Sequence, residues 1–463
     1  MTSRRSGNSR LAAVISAAGW SHGQLARAFV RVALEAGANE FTTVGRSHVS
    51  HWVAGSRPSG RAPQILCEVL SRRLSRTVSL DEVGLASDTR PNPPVDWRLD
   101  TLEALAILER TNVDAHRRRI LAATTYSVAA LALPDESWWT EMAARYRHRN
   151  ATGTVRVANT DVDVVRDVTS TLSRIDQRRG GGHARSAVAH YLTTDVAGYL
   201  RGRFPTSAVR REMFSAAGEL AYLAGWMAFD NAEQANAQRY FSVAVQLAAE
   251  ADDPPLAGHV LRAMAHQAVD LGHPRQAAEL AAASMSGKRY RQACHRERAL
   301  VGVVYARTLA ATEQRKAATA ELVRAEHELS QAGTGVDEPD RVFFFGEASL
   351  AHETACALSD SDDLAGALRE FQRSVRTRQA GTFTRTHAVT LGHLGAVQFR
   401  LNRLDEAYTT WTRALDVMDG VRSGRTRQVA ATIRATLSAM RGRDLPAIAS
   451  LDRRATAYLA ATA

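Results

Sequence analysis

Cysteine, lysine, aromatic residues and long apolar runs are all scarce in this 463-residue chain. The three cysteines, Cys67, Cys294 and Cys356, are far apart and sit within helical apolar patterns. They make neither a metal-ligand spacing nor a disulfide framework, and such usage fits a reducing, cytoplasmic setting. No run of about 20 apolar residues occurs, so no membrane-spanning helix is expected. The first residues, MTSRRSGNSR, are basic, but the apolar stretch after them is short and broken by Ser16 and His22. No secretory signal is read there. Alternating β-branched runs are also lacking, while Ala, Leu and Arg dominate. That balance predicts an all-α protein.

Catalytic signatures are missing as well. His352-Glu353 begins the zinc pattern H-E-x-x-H, but Cys356 stands where the second histidine is needed. There is no G-x-S-x-G elbow, Walker loop, dinucleotide fingerprint or C-x-x-C pair. The 15 histidines are scattered. The reading is therefore of a protein that is not an enzyme, with no catalytic residue, no metal and no cofactor. Asp176 to His183, DQRRGGGH, is glycine-rich, yet it has no G-K-[ST] and no preceding strand. A helix–helix turn is the better reading than a phosphate cradle.

What the chain does have is positive charge in a particular place. The formal net charge is +11, carried by arginine, since lysine occurs only at Lys288 and Lys316. An arginine bias alone can reflect a GC-rich genome. Residues 1–86, however, hold 11 Arg against 5 acidic residues, about half of the excess in under a fifth of the chain. A basic head on a roughly balanced body suits a phosphate-binding module joined to something else.

Within the head, Arg46 to Pro58 reads RSHVSHWVAGSRP. As a helix it puts Val49, Trp52 and Val53 on one face, with Ser47, Ser50 and His51 opposite and His48 at the edge. Gly55 is placed to end the helix and Pro58 follows. A thin apolar seam with small polar donors outside suits insertion into a DNA major groove. Ser9 is placed to cap a first helix, and Ser21 with Gln24 makes a capping box for a second, whose core face is Leu25, Phe29 and Val32. Pro63 suits the first turn of a fourth helix carrying Leu66, Val69, Leu70 and Leu74. The elements Gln24-Leu25-Ala26 and VSHWVAGSRP resemble the phage-repressor class of helix-turn-helix domains. Some 20 residues separate Ala26 from Ser47, where that class has a tight turn. If the head binds double-stranded DNA, Ser47, His48, Ser50 and His51 face base edges, and Arg27, Arg46, Arg57 and Arg61 meet phosphates. Serine and histidine discriminate bases modestly, so a homodimer reading two half-sites, or DNA shape, would supply the specificity.

Residues 87–96 hold three prolines and read as an extended linker. A helical connecting region, 97–159, follows. In it the cluster His116 to Arg119 precedes Ile120 to Ala132, read as a buried helix, and Leu133-Pro134 before Trp138-Trp139 marks a turn and restart.

From about residue 160 to 463 the chain repeats itself. Triplets of a small residue, a bulkier or apolar one and a small one recur at Ala237/Phe241/Ala244, Ala277/Ala281/Ser284, Ala318/Leu322/Ala325, Ala367/Phe371/Ser374 and Ala407/Trp411/Ala414. Their starts lie 40, 41, 49 and 40 residues apart. This resembles the tetratricopeptide repeat, with a period longer than the usual ~34 residues. Stacked hairpins bury a continuous face that one hairpin cannot. The first helix of each hairpin would line a concave groove for a peptide or protein ligand, with Tyr222, Trp226, Arg262, His266, Tyr305, Arg307, His352, His393 and Gln398 as candidate lining residues.

The layout as a whole is similar to a family of actinobacterial regulators with a divergent helix-turn-helix head, a Pro-rich joint and tetratricopeptide-like repeats. The stretches Leu220 to Asp253 (LAYLAGWMAFDNAEQANAQRYFSVAVQLAAEADD) and Ile175 to Arg185 (IDQRRGGGHAR) carry that resemblance. The resemblance implies control of sporulation and antibiotic production, and it parallels the peptide-sensing quorum regulators of other bacteria at the level of fold. The expected function is a DNA-binding transcriptional regulator whose repeats dimerise it, sense a ligand, or both. The alternative is an interaction scaffold whose head no longer binds DNA.

Overall fold

A computed structural model describes residues 7–35, 38–74, 78, 80, 82–85, 97, 99–117, 126–145, 153–333, 338–438 and 446–462. The Pro-rich joint, half of the His116 to Arg119 cluster and residues 120–125 of the helix expected after it lie outside them. Among the described residues the regular structure is helical, apart from an isolated bridge between Arg156 and Arg203. None of these helices is long and apolar enough to cross a membrane.

Four helices build the head: α1 (Ser9–Ala17), α2 (His22–Glu35), α3 (Arg46–Val53) and α4 (Ala62–Leu74). Asn8, rather than Ser9, caps α1. Its Oδ1 accepts from Leu11 N at 3.0 Å, while its Nδ2 donates to Val83 O at 2.8 Å and ties the head's two ends together. Asparagine can serve both partners because it carries acceptor and donors, which a serine hydroxyl at that place could not do as well. The capping box of α2 is formed: Ser21 N donates to Gln24 Oε1 at 2.8 Å, and Gln24 N to Ser21 Oγ at 3.3 Å. The long interval between α2 and α3 is explained by α2 itself, which continues to Glu35, and by a 3-10 turn at Asn39–Phe41. Phe41 closes edge-on against Phe29, whose ring also meets Trp52. Leu11 to Leu85 form one closed hydrophobic cluster.

Two helices follow, α5 (Thr101–Arg117) and α6 (Glu136–Arg145). Tyr126 to Leu131 are not the helix that their apolar run predicts, but an irregular piece ending in a 3-10 turn. The reason is visible in its amides. Ser127 N donates to Gln238 Oε1 at 2.9 Å and Val128 N to Glu68 Oε1 at 2.7 Å, so side chains of the body and the head take the hydrogen bonds a helix would need. The connecting region shares one core with the helices after it.

Next come α7 (Asn159–Arg179), α8 (Arg185–Tyr191) and α9 (Ala197–Leu200), then five hairpins. These are α10 (Ser207–Asp230) with α11 (Gln234–Glu250), and α12 (Pro254–Asp270) with α13 (Pro274–Ser284). After a short α14 (Lys288–Arg291) come α15 (His295–Ala311) with α16 (Arg315–Ser330), α17 (Glu347–Asp360) with α18 (Leu364–Thr377), and α19 (Thr384–Arg400) with α20 (Leu404–Val417). A last pair, α21 (Gly424–Ser438) and α22 (Pro446–Ala461), covers the end. Cys294 sits just before α15 rather than inside a helix.

The predicted triplets are the buried seams of the second helices, every member but Leu322 being buried. Two of the three aromatic members, Phe241 and Trp411, are seated in notches made by glycines on the first helices. A Cβ on Gly225 would lie 2.6 Å from Phe241 Cδ1, and one on Gly395 would lie 2.4 Å from Trp411 Nε1. Each hairpin turn puts one residue in the left-handed region: Ala232, Gly272, Glu313, Asp362 and Asn402. These turns recur at the intervals of the triplets. Helices of 16 or 17 residues at α11, α12, α15, α16 and α19 account for the lengthened period. The one longer interval contains residues 338–346, a segment that folds back against α10 and α15 through Arg341.

Candidate functional site

The head presents one polar face. On α3, Val49 and Trp52 are buried while Arg46, Ser47, His48 and His51 are exposed. Gly45 N donates to His48 Nδ1 at 3.2 Å, so Nδ1 is taken up as an acceptor within α3's first turn. Ser50 is half-buried and joined to His22 Nδ1 at 2.9 Å, so it locks the start of α2 to the middle of α3. Arg27 is exposed on α2. Arg57 donates to Leu85 O at 2.5 Å, and Arg61 is half-buried. The structure therefore gathers Arg46, Ser47, His48 and His51 on one open face, with Ser50 and Arg57 also engaged within the head. Sequence pattern gave no hint of His22.

The head is seated on the body by α4. Glu68 is buried and takes Arg72 Nε at 2.8 Å as well as the Val128 amide. Tyr126 then stacks on His273, which follows α12 at the second hairpin turn, with 5.8 Å between ring centres and 12° between planes.

In the body, all nine candidate groove residues lie on first helices: Tyr222 and Trp226 on α10, Arg262 and His266 on α12, Tyr305 and Arg307 on α15, His352 on α17, and His393 and Gln398 on α19. They form a packed seam rather than the wall of an open channel. Arg262, only 2% exposed, donates to Tyr222 Oη at 3.0 Å and lies over Trp226. His266 meets Trp226 edge-on and approaches Asp270 at 3.4 Å. Arg307 pairs with Asp270 at 2.8 Å and reaches Glu353 and Asp360. His352 Nδ1 and Thr390 Oγ1 are 2.9 Å apart, and His393 sits beside them. Gln398 donates to Glu406 at 3.2 Å, and Tyr305 is half-buried. Burial, aided by Arg425 and Arg307, holds His393 down at about 4, so its ring is neutral near pH 7.

Helix α7 closes the seam from the inside. Arg385, at the start of α19, donates to Asp176 on α7 at 3.0 Å and to Asp230 on α10 at 2.7 Å, all three essentially inaccessible. The glycines of DQRRGGGH make the helix–helix turn that follows. Gly180 has φ +86, and its Cβ would fall 2.3 Å from Arg422 O; a Cβ on Gly181 would fall 2.4 Å from Met227 O. Their role is close backbone approach. Asp176 lies within that glycine-rich stretch, but nothing local marks Arg385 as its partner, because 209 residues separate them.

Among the described residues, two cavities lie against these helices. One, of about 340 Å³, lies between α7, α10 and residues 338–346, with Tyr222 and Trp226 in its wall. The other, of about 490 Å³, is bounded by α10, α12, α15, α17, α19 and α21 and has Arg307 and His393 in its wall. Of the nine groove residues, these four reach open space at one cavity or the other.

No curated protein shows significant similarity to the chain. Residues 11–86 match the family model described as the SP15 N-terminal domain, a span that coincides with the closed hydrophobic cluster of the head.

Proposed function

We propose that the chain is a DNA-binding transcriptional regulator, of the actinobacterial helix-turn-helix type with tetratricopeptide-like repeats. In this reading α2 and α3 are the helix-turn-helix pair and α3 enters the major groove. The observation that carries it is the open polar face of α3 on the side opposite Val49 and Trp52. Exposed Arg46 and Arg27 meet phosphates there, and His48, His51 and Ser47 meet base edges. The repeat body dimerises the protein, senses a peptide or other ligand, or both. The contacts of Glu68 and Tyr126 are the route by which a change in the body reaches the head, since a ligand acts only by favouring one arrangement over another.

Gel shift on genomic fragments at low and near-physiological salt tests the proposal. Expected is an affinity that falls steeply with salt and drops at least tenfold in Arg46→Ala/His51→Ala. Unchanged affinity in that variant, or no retained fragment at low salt, leaves the interaction-scaffold reading in its place.

A further inference from the structure

The cavity between α7, α10 and residues 338–346 has a chemistry of its own. Its acidic residues are Asp176, Glu219, Asp253 and Asp340, its arginines are Arg166 and Arg341, and its aromatic wall is Tyr222, Trp226 and Phe344. Asp253 is already satisfied, capping Leu256 N at 3.0 Å and accepting from Ser215 Oγ at 2.7 Å. Glu219 accepts from Arg341, which is shared with Glu297. Asp176 is different. It is 1% exposed and gives Oδ2 to Arg385, while Oδ1 has no hydrogen-bond partner. Across the same wall the Trp226 indole N–H is also buried and unpartnered. A buried acceptor and a buried donor, on two residues that line one chamber, stand without partners and cost stability unless something satisfies them.

We propose that this chamber binds a small organic amine: a primary ammonium that donates to Asp176 Oδ1, on an apolar or aromatic stem bearing a neutral oxygen that accepts from Trp226 Nε1. Aromatic faces beside a carboxylate are the usual surroundings for a bound ammonium. An anion is disfavoured, because four carboxylates line the space against two arginines, of which Arg341 is already held by Glu297 and Glu219 and Arg166 faces Glu212 at 3.6 Å. A peptide strand along the seam is disfavoured because α7 occupies its place. Half-buried Ser173 and exposed Asp340 both line the chamber, and Arg174 pairs with Asp340 at 3.0 Å and covers Phe343. Burial pushes the Asp176 carboxyl up, Arg385 pulls it back and neighbouring Asp230 adds to the rise. An arriving ammonium stabilises the ionised form, so binding tightens as the pH rises through neutrality. The inference rests on the ligand-sensing half of the proposed function and is independent of the DNA-binding half.

Isothermal titration of the full-length protein with tyramine, its uncharged isostere tyrosol and the anion para-hydroxyphenylacetate reads this directly. Expected is saturable tyramine binding at least tenfold tighter than tyrosol, with no binding of the anion. Asp176→Asn and Ser173→Trp should each weaken tyramine at least tenfold. The second variant fills the chamber from a half-buried lining position, so it decides the matter if the first fails to fold. Equal binding of tyramine and tyrosol, or tyramine binding unchanged by Ser173→Trp, overturns the proposal. So does the absence of saturable binding for tyramine, phenethylamine, glucosamine and putrescine alike. Failure here with gel shifts intact removes the amine site alone.

Discussion

Head and body use the same side chain in opposite ways. In the body, Arg210, Arg307, Arg341 and Arg385 are withdrawn from water and matched to carboxylates on other helices. In the head, Arg27, Arg31 and Arg46 stand exposed around α2 and α3. Arginine keeps its charge when buried and can serve two acceptors at once, which makes it a strut between helices that share little sequence proximity. The arginine richness of the chain is thus two populations, one holding the array closed and one left on the surface. The difference shows in where their acids lie as well as in their number.

The sharpest way to break that contrast is to remove the strut. Arg385→Leu leaves Asp176 and Asp230 buried without their cation, and should destabilise the body by about 3–5 kcal/mol. Calorimetry is the readout. Adding Asp176→Asn and Asp230→Asn should recover part of the loss, because the unpaired charges are then gone. A melting curve unmoved by Arg385→Leu means that the ring of contacts closing α7 onto α19 is not what holds the body together.

The second test uses pH. Burial holds His259 at about 4, and His393 lies at about 4 beside Arg425 and Arg307, whereas exposed histidines titrate near 6.5. Between those values the unfolded chain binds protons on both rings and the folded chain does not. Stability is therefore fully present above pH ~6.5 and is lost as the pH falls toward 4, by up to about 1.4 kcal/mol per pH unit for each ring. Asp176, raised by burial, acts in the other direction and moderates the fall. The body should melt lower at pH ~5 than at pH ~7.5, and His259→Gln/His393→Gln should shrink the difference. An equal difference in the variant would mean those rings are not buried neutral.

These tests also mark what sequence could and could not reveal. The hairpins were legible because their signal is local: a triplet within eight residues, a turn, and the same again about 40 later. The all-α class and the head's capping box were legible for the same reason. Asn8 as cap, His22 against Ser50, and the Glu68 seat under Val128 were not, since each depends on a partner that only the tertiary fold brings near. The groove residues were rightly placed on first helices, but nothing in their spacing indicates that α7 fills the space before them. Charge partners 155 and 209 residues apart leave no trace in a periodicity.

A smaller effect belongs to a single notch. Gly395→Ala drives a methyl toward Trp411 and should cost the body about 1–3 kcal/mol through overpacking. Trp411→Phe in the same chain should relieve some of that cost by shortening the ring, at the loss of the indole hydrogen bond to Gly392 O. Chemical denaturation of the single and double variants gives the coupling between the two positions. Strict additivity would mean that glycine and indole do not form one seat.

The smallest effect on stability should come from the head's exposed arginine. Arg46 is on the surface of an eight-residue helix whose apolar seam is Val49 and Trp52, so Arg46→Ala removes no packing from the core. With His51→Ala added, the melting temperature should move by no more than ~0.5 kcal/mol implies. DNA affinity should nevertheless fall at least tenfold, and the slope of its logarithm against that of salt should drop by about one for the lost phosphate contact. Arg385→Leu should show the reverse, a large loss of stability with an unchanged salt slope for whatever fraction stays folded. If Arg46→Ala melts the head, its guanidinium is a strut like those of the body. If it leaves both stability and DNA affinity unchanged, the surface population has some other purpose, and the contrast between the two regions no longer bears on function.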